Sequence, residues 1–108
     1  MQVRLIVPNP PTYDVPHDRV QAYGEAIADI AGGFTAMQGT GGWKDDNGTL
    51  IVESVTVFDC TMPDEPSTPY SAETGLPQFR QLAKRIAREL NQDCVYLSFD
   101  GQVEYVKQ

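Results

Sequence analysis

Residues 32–54, GGFTAMQGTGGWKDDNGTLIVES, decide the fold. The stretch holds six of the chain's nine glycines and its only tryptophan, and it then changes to a run of β-branched residues. Segments 34–44 and 49–60 are extended in pattern and are separated by DDNG, a typical tight turn between antiparallel strands. The stretch therefore predicts a β-hairpin. Because its glycines lead into a strand, the helix N-terminus that binds phosphate after a glycine-rich loop is absent from the pattern.

The glycines of this stretch divide by role. Gly32 and Gly33 stand where the helix before them has to end, and Gly48 suits the turn. The three glycines at 39, 41 and 42 favour a bulge or a close backbone approach within the strand.

Helical patterns lie on either side of the hairpin. Apolar residues recur at helical spacing from about residue 16 to 31 and again from 76 to 91, which predicts two amphipathic helices. Between the hairpin and the second helix, residues 59–74 contain three prolines and four acids without periodicity, and they predict a long acidic loop.

Three further strands complete the order. VRLIV at 3–7 predicts a first strand with Val3, Leu5 and Val7 on one face, and CVYLSF with QVEYV around Asp100-Gly101 predicts a closing hairpin. The order β-α-β-β-α-β-β predicts a single α+β domain over residues 1–108. It is the ferredoxin-like pattern with an extra C-terminal strand, an antiparallel sheet carrying two helices on one face. Cys60 and Cys94 are then expected at opposite edges as free thiols.

Charge excludes some function classes. Fifteen acidic against eight basic residues give a formal charge of −7, so direct binding to a nucleic-acid backbone is disfavoured. No apolar run approaches the roughly 20 residues of a membrane span, and the N-terminus lacks a signal-peptide pattern, so a cytoplasmic protein is expected. No cofactor is implied, and no catalytic or metal-binding spacing is recognisable. His17, the only histidine, suits the start of the first helix better than a catalytic or metal-binding role.

Basic residues concentrate on the second helix. Arg80, Lys84 and Arg88 are spaced at i, i+4 and i+8 with Arg85 beside them, four of the eight basic residues. This face could anchor a phosphate or an acidic partner. A solvated face with cations near the negative end of the helix dipole explains the same pattern.

A second candidate site lies on the sheet face without helices. Glu53 shares a strand face with Ile51, Val55 and Val57, and a carboxylate on an apolar face needs a partner. Arg4 on the adjacent strand is predicted as that partner, with Tyr96 and Ser98 nearby. A surface ion pair or an oligomer contact would explain the pair equally.

A third candidate is a rim at one end of the sheet. Trp43 and Lys44 close the hairpin near the proline-rich loop at 8–16, which contains Tyr13. Exposed aromatic residues are common at binding hot spots, so this rim is a candidate contact surface. The alternative is that Trp43 packs under the loop.

Two stretches resemble known proteins. Residues 32–55, with Gly-x-Trp, Asp-x-x-Gly and then Glu, resemble a hairpin of small domains of unknown function. Residues 82–106, LAKRIARELNQDCVYLSFDGQVEYV, resemble the C-terminal end of small phage and prophage proteins. The resemblance implies a mobile-element accessory protein, a class that includes anti-CRISPR inhibitors and sponges for nucleotide signals.

We therefore hypothesise a non-enzymatic, homo-oligomeric binding protein that inhibits host defence by binding a defence protein or sequestering a small nucleotide. Two alternatives remain open. One is a metabolite-binding regulator resembling nitrogen-regulatory signal proteins, and the other is a small dimeric enzyme using His17, Tyr13 or Glu53.

Overall fold

The computed structural model describes residues 1–9, 15–64 and 70–108, and of residues 15–19 the backbone alone. Its elements follow the predicted order β-α-β-β-α-β-β. They are β1 (Gln2–Pro8), α1 (Val15–Ala31), β2 (Thr35–Lys44), β3 (Leu50–Thr61), α2 (Ala72–Glu89), β4 (Cys94–Phe99) and β5 (Gln102–Lys107).

The strands form one antiparallel sheet in the order β2-β3-β1-β4-β5. An α+β fold with two helices and a fifth, C-terminal strand is confirmed. β1 lies in the centre, so its residues have neighbours on both sides. Arg4, for example, is opposite Asp59 of β3 and Ser98 of β4.

The core lies between one sheet face and the two helices. Val3, Leu5 and Val7 are buried as predicted, because alternate residues of a strand point to the same face. They share one apolar cluster with Ile27 of α1 and Phe79 of α2, both fully buried. Both helices therefore cover the same face of the sheet. Among the residues that the structure describes, no helix lies over the opposite face, here called the open face.

Both predicted tight turns are present. Asp45 accepts a 2.9 Å hydrogen bond from the Gly48 amide through its carbonyl, and its carboxylate accepts another from the Thr49 amide at 2.9 Å. Gly48 has φ +78°, a conformation that favours glycine. In the second turn Asp100 and Gly101 both have positive φ, 49° and 82°, as a type I′ turn requires.

The predicted bulge in β2 is wrong. The strand pairs residue for residue with β3 from Thr35 to Lys44, straight through its three glycines. Their role is close approach: a Cβ at Gly41 would lie 3.3 Å from the Val55 side chain, closer than comfortable van der Waals contact. Gly39 and Gly41 therefore leave room for Val55.

The predicted acidic loop is shorter than expected. β3 continues to Thr61 and α2 begins at Ala72, so ordered structure covers both ends of residues 59–74. Sequence pattern missed the first turns of α2 because Gly75 and Pro77 are poor helix formers. Gly75 is there for packing, since a Cβ at this position would overlap the terminal methyl of the buried Met62.

The predicted edge positions of the cysteines are also wrong. β3 and β4, which carry Cys60 and Cys94, each lie one strand in from an edge. Both thiols are free, as expected. Burial raises the pKa of Cys60 to about 11, so this thiol is protonated and unreactive at neutral pH.

A closed ring of polar side chains joins the end of β1 to the hairpin. The Thr56 hydroxyl donates to Asn9 Oδ1 at 2.8 Å, Gln38 Nε2 donates to Thr56 Oγ1 at 2.9 Å, and Asn9 Nδ2 donates to Gln38 Oε1 at 2.8 Å. Thr56 is fully buried. The ring fixes three strands to one another where the hairpin leaves the body of the sheet.

Candidate functional site on the open sheet face

The open face brings together side chains from three strands. Cross-strand register places Arg4 beside Asp59 and Ser98, and the next pair along places Ile6 beside Tyr96. These residues alternate with the buried ones, so their direction follows from the burial of Val3 and Leu5 on the other face. The geometry assembles a polar centre with aromatic residues on one side.

Arg4 and Asp59 form the centre of this site. The guanidinium donates two parallel hydrogen bonds to the carboxylate, Nε to Oδ1 at 2.7 Å and Nη2 to Oδ2 at 2.9 Å. Hydrogen bonding to Arg4 holds the pKa of Asp59 below its usual value, and the same bond raises the pKa of Arg4. Both groups are charged at neutral pH and remain accessible to a ligand.

Two tyrosines stand beside the ion pair. The rings of Tyr96 and Tyr105 are opposite each other on β4 and β5, 6.0 Å apart at 78°, an edge-to-face arrangement. Tyr105 is 66% exposed, the largest exposed fraction among the large apolar side chains described. A flat ligand can therefore reach its ring.

An open cleft of about 340 Å³ lies over this centre. It is lined by Arg4, Asp59, Tyr96, Ser98, Gly101 and residues at the start of β1. The lining offers a guanidinium, a carboxylate and two hydroxyl groups, which together can bind hydroxyl and carboxylate groups of a small polar ligand.

The predicted Arg4–Glu53 pair is not formed. Glu53 lies on the open face, as expected from its strand, but it is opposite Gly41. Arg4 is opposite Asp59, six residues further along β3, and at the rise of an extended strand the two positions are about 20 Å apart. The face was predicted correctly and the partner was wrong.

The rim around the hairpin is only partly described. Trp43 is 49% exposed on the hairpin, so within the described residues it is not packed under a loop. Leu50 and Val52 are exposed on the same hairpin, beyond the end of β1. Tyr13 lies outside the described residues, and the side chain of His17 does too, so the predicted rim and the role of His17 are not tested.

The basic residues of α2 do not share one groove. Arg80 and Lys84 line a groove beside β5, while Arg85 and Arg88 line another beside α1. Two steps of four residues rotate about 80° around a helix, which explains why Arg88 diverges from Arg80. Arg80 donates to Glu104 at 2.8 and 3.0 Å and lies 5.5 Å from the centre of the Phe99 ring.

Two residues of the site, Asp59 and Tyr105, were not predicted from the sequence, whereas Ser98 was expected near Arg4 and lies opposite it on β4. Tyr105 follows Asp100-Gly101 at a spacing that places it opposite Tyr96 in a two-residue hairpin, so the sequence did contain its signal. The Asp59 partner depends on the register between β1 and β3, which are far apart in sequence.

Two classes of site are absent from the parts of the chain that the structure describes. No group of three or more His, Cys, Asp or Glu side chains among these residues is placed to hold a metal ion. No helix in the same ranges is long and apolar enough to cross a membrane.

Two solved structures match the chain over almost its whole length. One is a phage SAM lyase in complex with S-methyl-5'-thioadenosine, with a TM-score of 0.68 and 19% sequence identity. The other is a phage SAM lyase in the apo state, with a TM-score of 0.69 and 17% identity. Each match covers 99% of this chain and 88% of the other. The fold is similar to that of phage SAM lyase. No protein-family model and no curated protein matches the chain.

Proposed function

We propose that this chain is a phage-type protein that inhibits host defence by binding an adenosyl ligand of the SAM and S-methyl-5'-thioadenosine class. The observation that carries the proposal is the structural match across 99% of the chain to a phage SAM lyase holding S-methyl-5'-thioadenosine. SAM is the general methyl donor for nucleic-acid modification, so a protein that withholds it from the host limits that chemistry.

The open-face cleft, together with Tyr105 opposite the cleft residue Tyr96, supplies the groups that such a ligand needs. The exposed Tyr105 ring, backed by Tyr96, offers a stacking surface for adenine. Asp59 is an ionised acceptor for the two ribose hydroxyl groups. Arg4 can bind the carboxylate that SAM carries and S-methyl-5'-thioadenosine lacks, because only two of its donor positions are directed at Asp59.

The chemistry of the site favours binding of the ligand without its cleavage. A carboxylate whose pKa is lowered by a bidentate arginine is a weak proton acceptor, so Asp59 is poorly suited to act as a general base. The second candidate function is SAM cleavage, favoured by the name of the matching structures. Incubating the protein with SAM separates the two, because cleavage releases S-methyl-5'-thioadenosine and sequestration leaves SAM intact.

The proposal is tested by thermal unfolding of the protein with SAM, S-methyl-5'-thioadenosine and, as a control, guanosine. A ligand at 100 times its Kd stabilises the folded state by about 2.7 kcal/mol, so the unfolding midpoint rises with the two adenosyl ligands. Tyr105→Ala should remove the shift, whereas Tyr70→Ala, at an exposed tyrosine on the other side of the molecule, should keep it. Equal shifts in both variants would place the ligand elsewhere.

Homo-oligomerisation remains part of the proposal. Met37 and Val103 extend the open face as exposed apolar residues on either side of the polar centre. An oligomer formed through them would leave the cleft at a subunit boundary, where the ligand is desolvated. The ferredoxin-like fold class remains a prediction. So does the alternative function, a metabolite-binding regulator.

A further inference from the structure

The outer surface of α2 carries a positive charge that the ligand proposal does not use. Arg80, Lys84, Arg85 and Arg88, here called the cationic ridge, hold four of the eight basic residues of a chain whose formal charge is −7. The ridge is on the helix side of the sheet, away from the open face.

Half of the ridge is neutralised within the fold. Arg80 is paired with Glu104 at 2.8 Å, and Arg85 lies 3.7 Å from Glu89 and 5.8 Å from the centre of the Tyr23 ring. Lys84 and Arg88, in contrast, have no carboxylate within 4.0 Å among the described side chains, those of residues 1–9, 20–64 and 70–108. The helix dipole accounts for Arg88 in the last turn but falls off before Lys84.

The two unpaired cations connect two grooves. Lys84 lines the groove between α2 and β5, of about 490 Å³, and Arg88 lines the groove between α1 and α2, of about 540 Å³. Each groove has apolar lining, Pro77 and Val106 in the first and Ala26, Ile30 and Leu82 in the second. Pro77 and Gln81 line both, so the surface is continuous across the crest of the helix.

We propose that the cationic ridge docks an acidic protein segment that crosses α2 from one groove to the other. Lys84 and Arg88 are separated by about 6 Å along the helix axis and by about 40° around it, so a segment that runs obliquely over the helix, with alternate residues about 6.7 Å apart, passes both. Two carboxylates at alternate positions meet the two cations, and an apolar residue at each end enters a groove. The partner is thus recognised by charge at its centre and by apolar side chains at its ends.

The probe is the peptide Leu-Ser-Glu-Ser-Glu-Ser-Leu, with Leu-Ser-Gln-Ser-Gln-Ser-Leu as its uncharged control. Titration into isotopically labelled protein, followed by amide chemical shifts, should move α2 signals with the glutamate peptide only. Lys84→Glu combined with Arg88→Glu should weaken this binding roughly tenfold, because each reversal removes one attraction and adds one repulsion. Lys44→Glu with Lys107→Glu, the same charge change elsewhere, should leave it within about twofold.

Circular dichroism and thermal unfolding establish that both double variants remain folded, and Lys84→Gln with Arg88→Gln provides a neutral intermediate. Equal binding of the two peptides, equal losses in the two double variants, or no change at α2 would overturn the proposal. A DNA duplex that moves the α2 signals at lower concentration than the peptide would overturn it as well. Ligand binding at the open-face cleft is decided separately, by the signals of Arg4, Asp59 and Ser98, which line neither groove.

Discussion

Arg4 and Asp59 illustrate how one residue pair defines a site. Both are polar residues at positions of the sheet where their neighbours, Ile6 and Val57, are apolar, and each neutralises the other. The pair remains half-open to solvent, so it contributes little to stability by comparison with the core. In the ligand proposal, the pair serves as a pre-arranged set of charges facing the ligand.

The pair predicts a pH dependence. The pKa of Asp59 is lowered in the folded state, so its contribution is present above the ordinary carboxyl pKa of about 3.9 and is lost as pH falls through the lower folded value. Asp59→Asn should therefore be less stable than the parent protein at pH 7, and the difference should be smaller at about pH 3, below the ordinary carboxyl pKa of about 3.9. Urea unfolding at the two pH values measures it. A difference that stays constant or grows in acid would contradict the assigned pairing.

At the scale of the elements, the polar ring around Thr56 predicts a local cost. Thr56→Val removes a buried hydroxyl that donates to Asn9 and accepts from Gln38, so two hydrogen bonds are lost and the ring opens. The expected loss is about 1–3 kcal/mol of unfolding free energy. Thr40→Val, on the exposed part of β2, is the matched control and should change stability by less than about 0.5 kcal/mol. Similar values for the two variants would show that the ring is not stabilising.

The second turn gives a prediction about backbone conformation. Gly101 has φ +82° and open space around it, so Gly101→Ala should cost about 1–2 kcal/mol through left-handed strain alone. Gly33 also has open space, and its φ lies outside the left-handed region, so Gly33→Ala should be neutral or slightly stabilising. Chemical denaturation compares them. A neutral Gly101→Ala would show that the type I′ turn is absent in solution.

Some elements of the fold could be predicted from the sequence and others could not. DDNG at 45–48 and Asp100-Gly101 fix their hairpins because their turn chemistry is local, and Gly32 ends α1 for the same reason. The start of α2 escaped prediction because packing against Met62 outweighs the poor helix propensity of Gly75 and Pro77. For the site, alternation along the strands correctly predicted that Arg4 and Glu53 lie on the open face. The pairing of Arg4 with Asp59 was not predicted, because it depends on the long-range register between β1 and β3.

At the scale of the whole molecule, the two faces of the sheet carry different sets of residues. One face holds the core and both helices, and the other carries the polar centre, the tyrosine pair and exposed apolar residues. The cationic ridge lies on the helix side of a chain whose formal charge is −7. Under the two proposals, a small ligand binds on one side of the molecule and a protein segment on the other.

Oligomer formation is the prediction that belongs to this scale. If the apolar part of the open face associates, Met37→Glu combined with Val103→Glu should convert the oligomer to a monomer, because a buried carboxylate without a partner is costly. Light scattering measures the mass, and Leu50→Glu with Val52→Glu on the hairpin is the matched control. A parent protein that is monomeric would remove the subunit-boundary form of the ligand proposal.

The most direct test of the central claim is an amide chemical-shift titration of labelled protein with S-methyl-5'-thioadenosine. The account predicts saturable changes at Arg4, Asp59, Tyr96, Ser98 and Tyr105, with α2 unaffected. The claim would be contradicted if none of these five signals changed at a saturating concentration of S-methyl-5'-thioadenosine, or if signals changed only in other parts of the molecule.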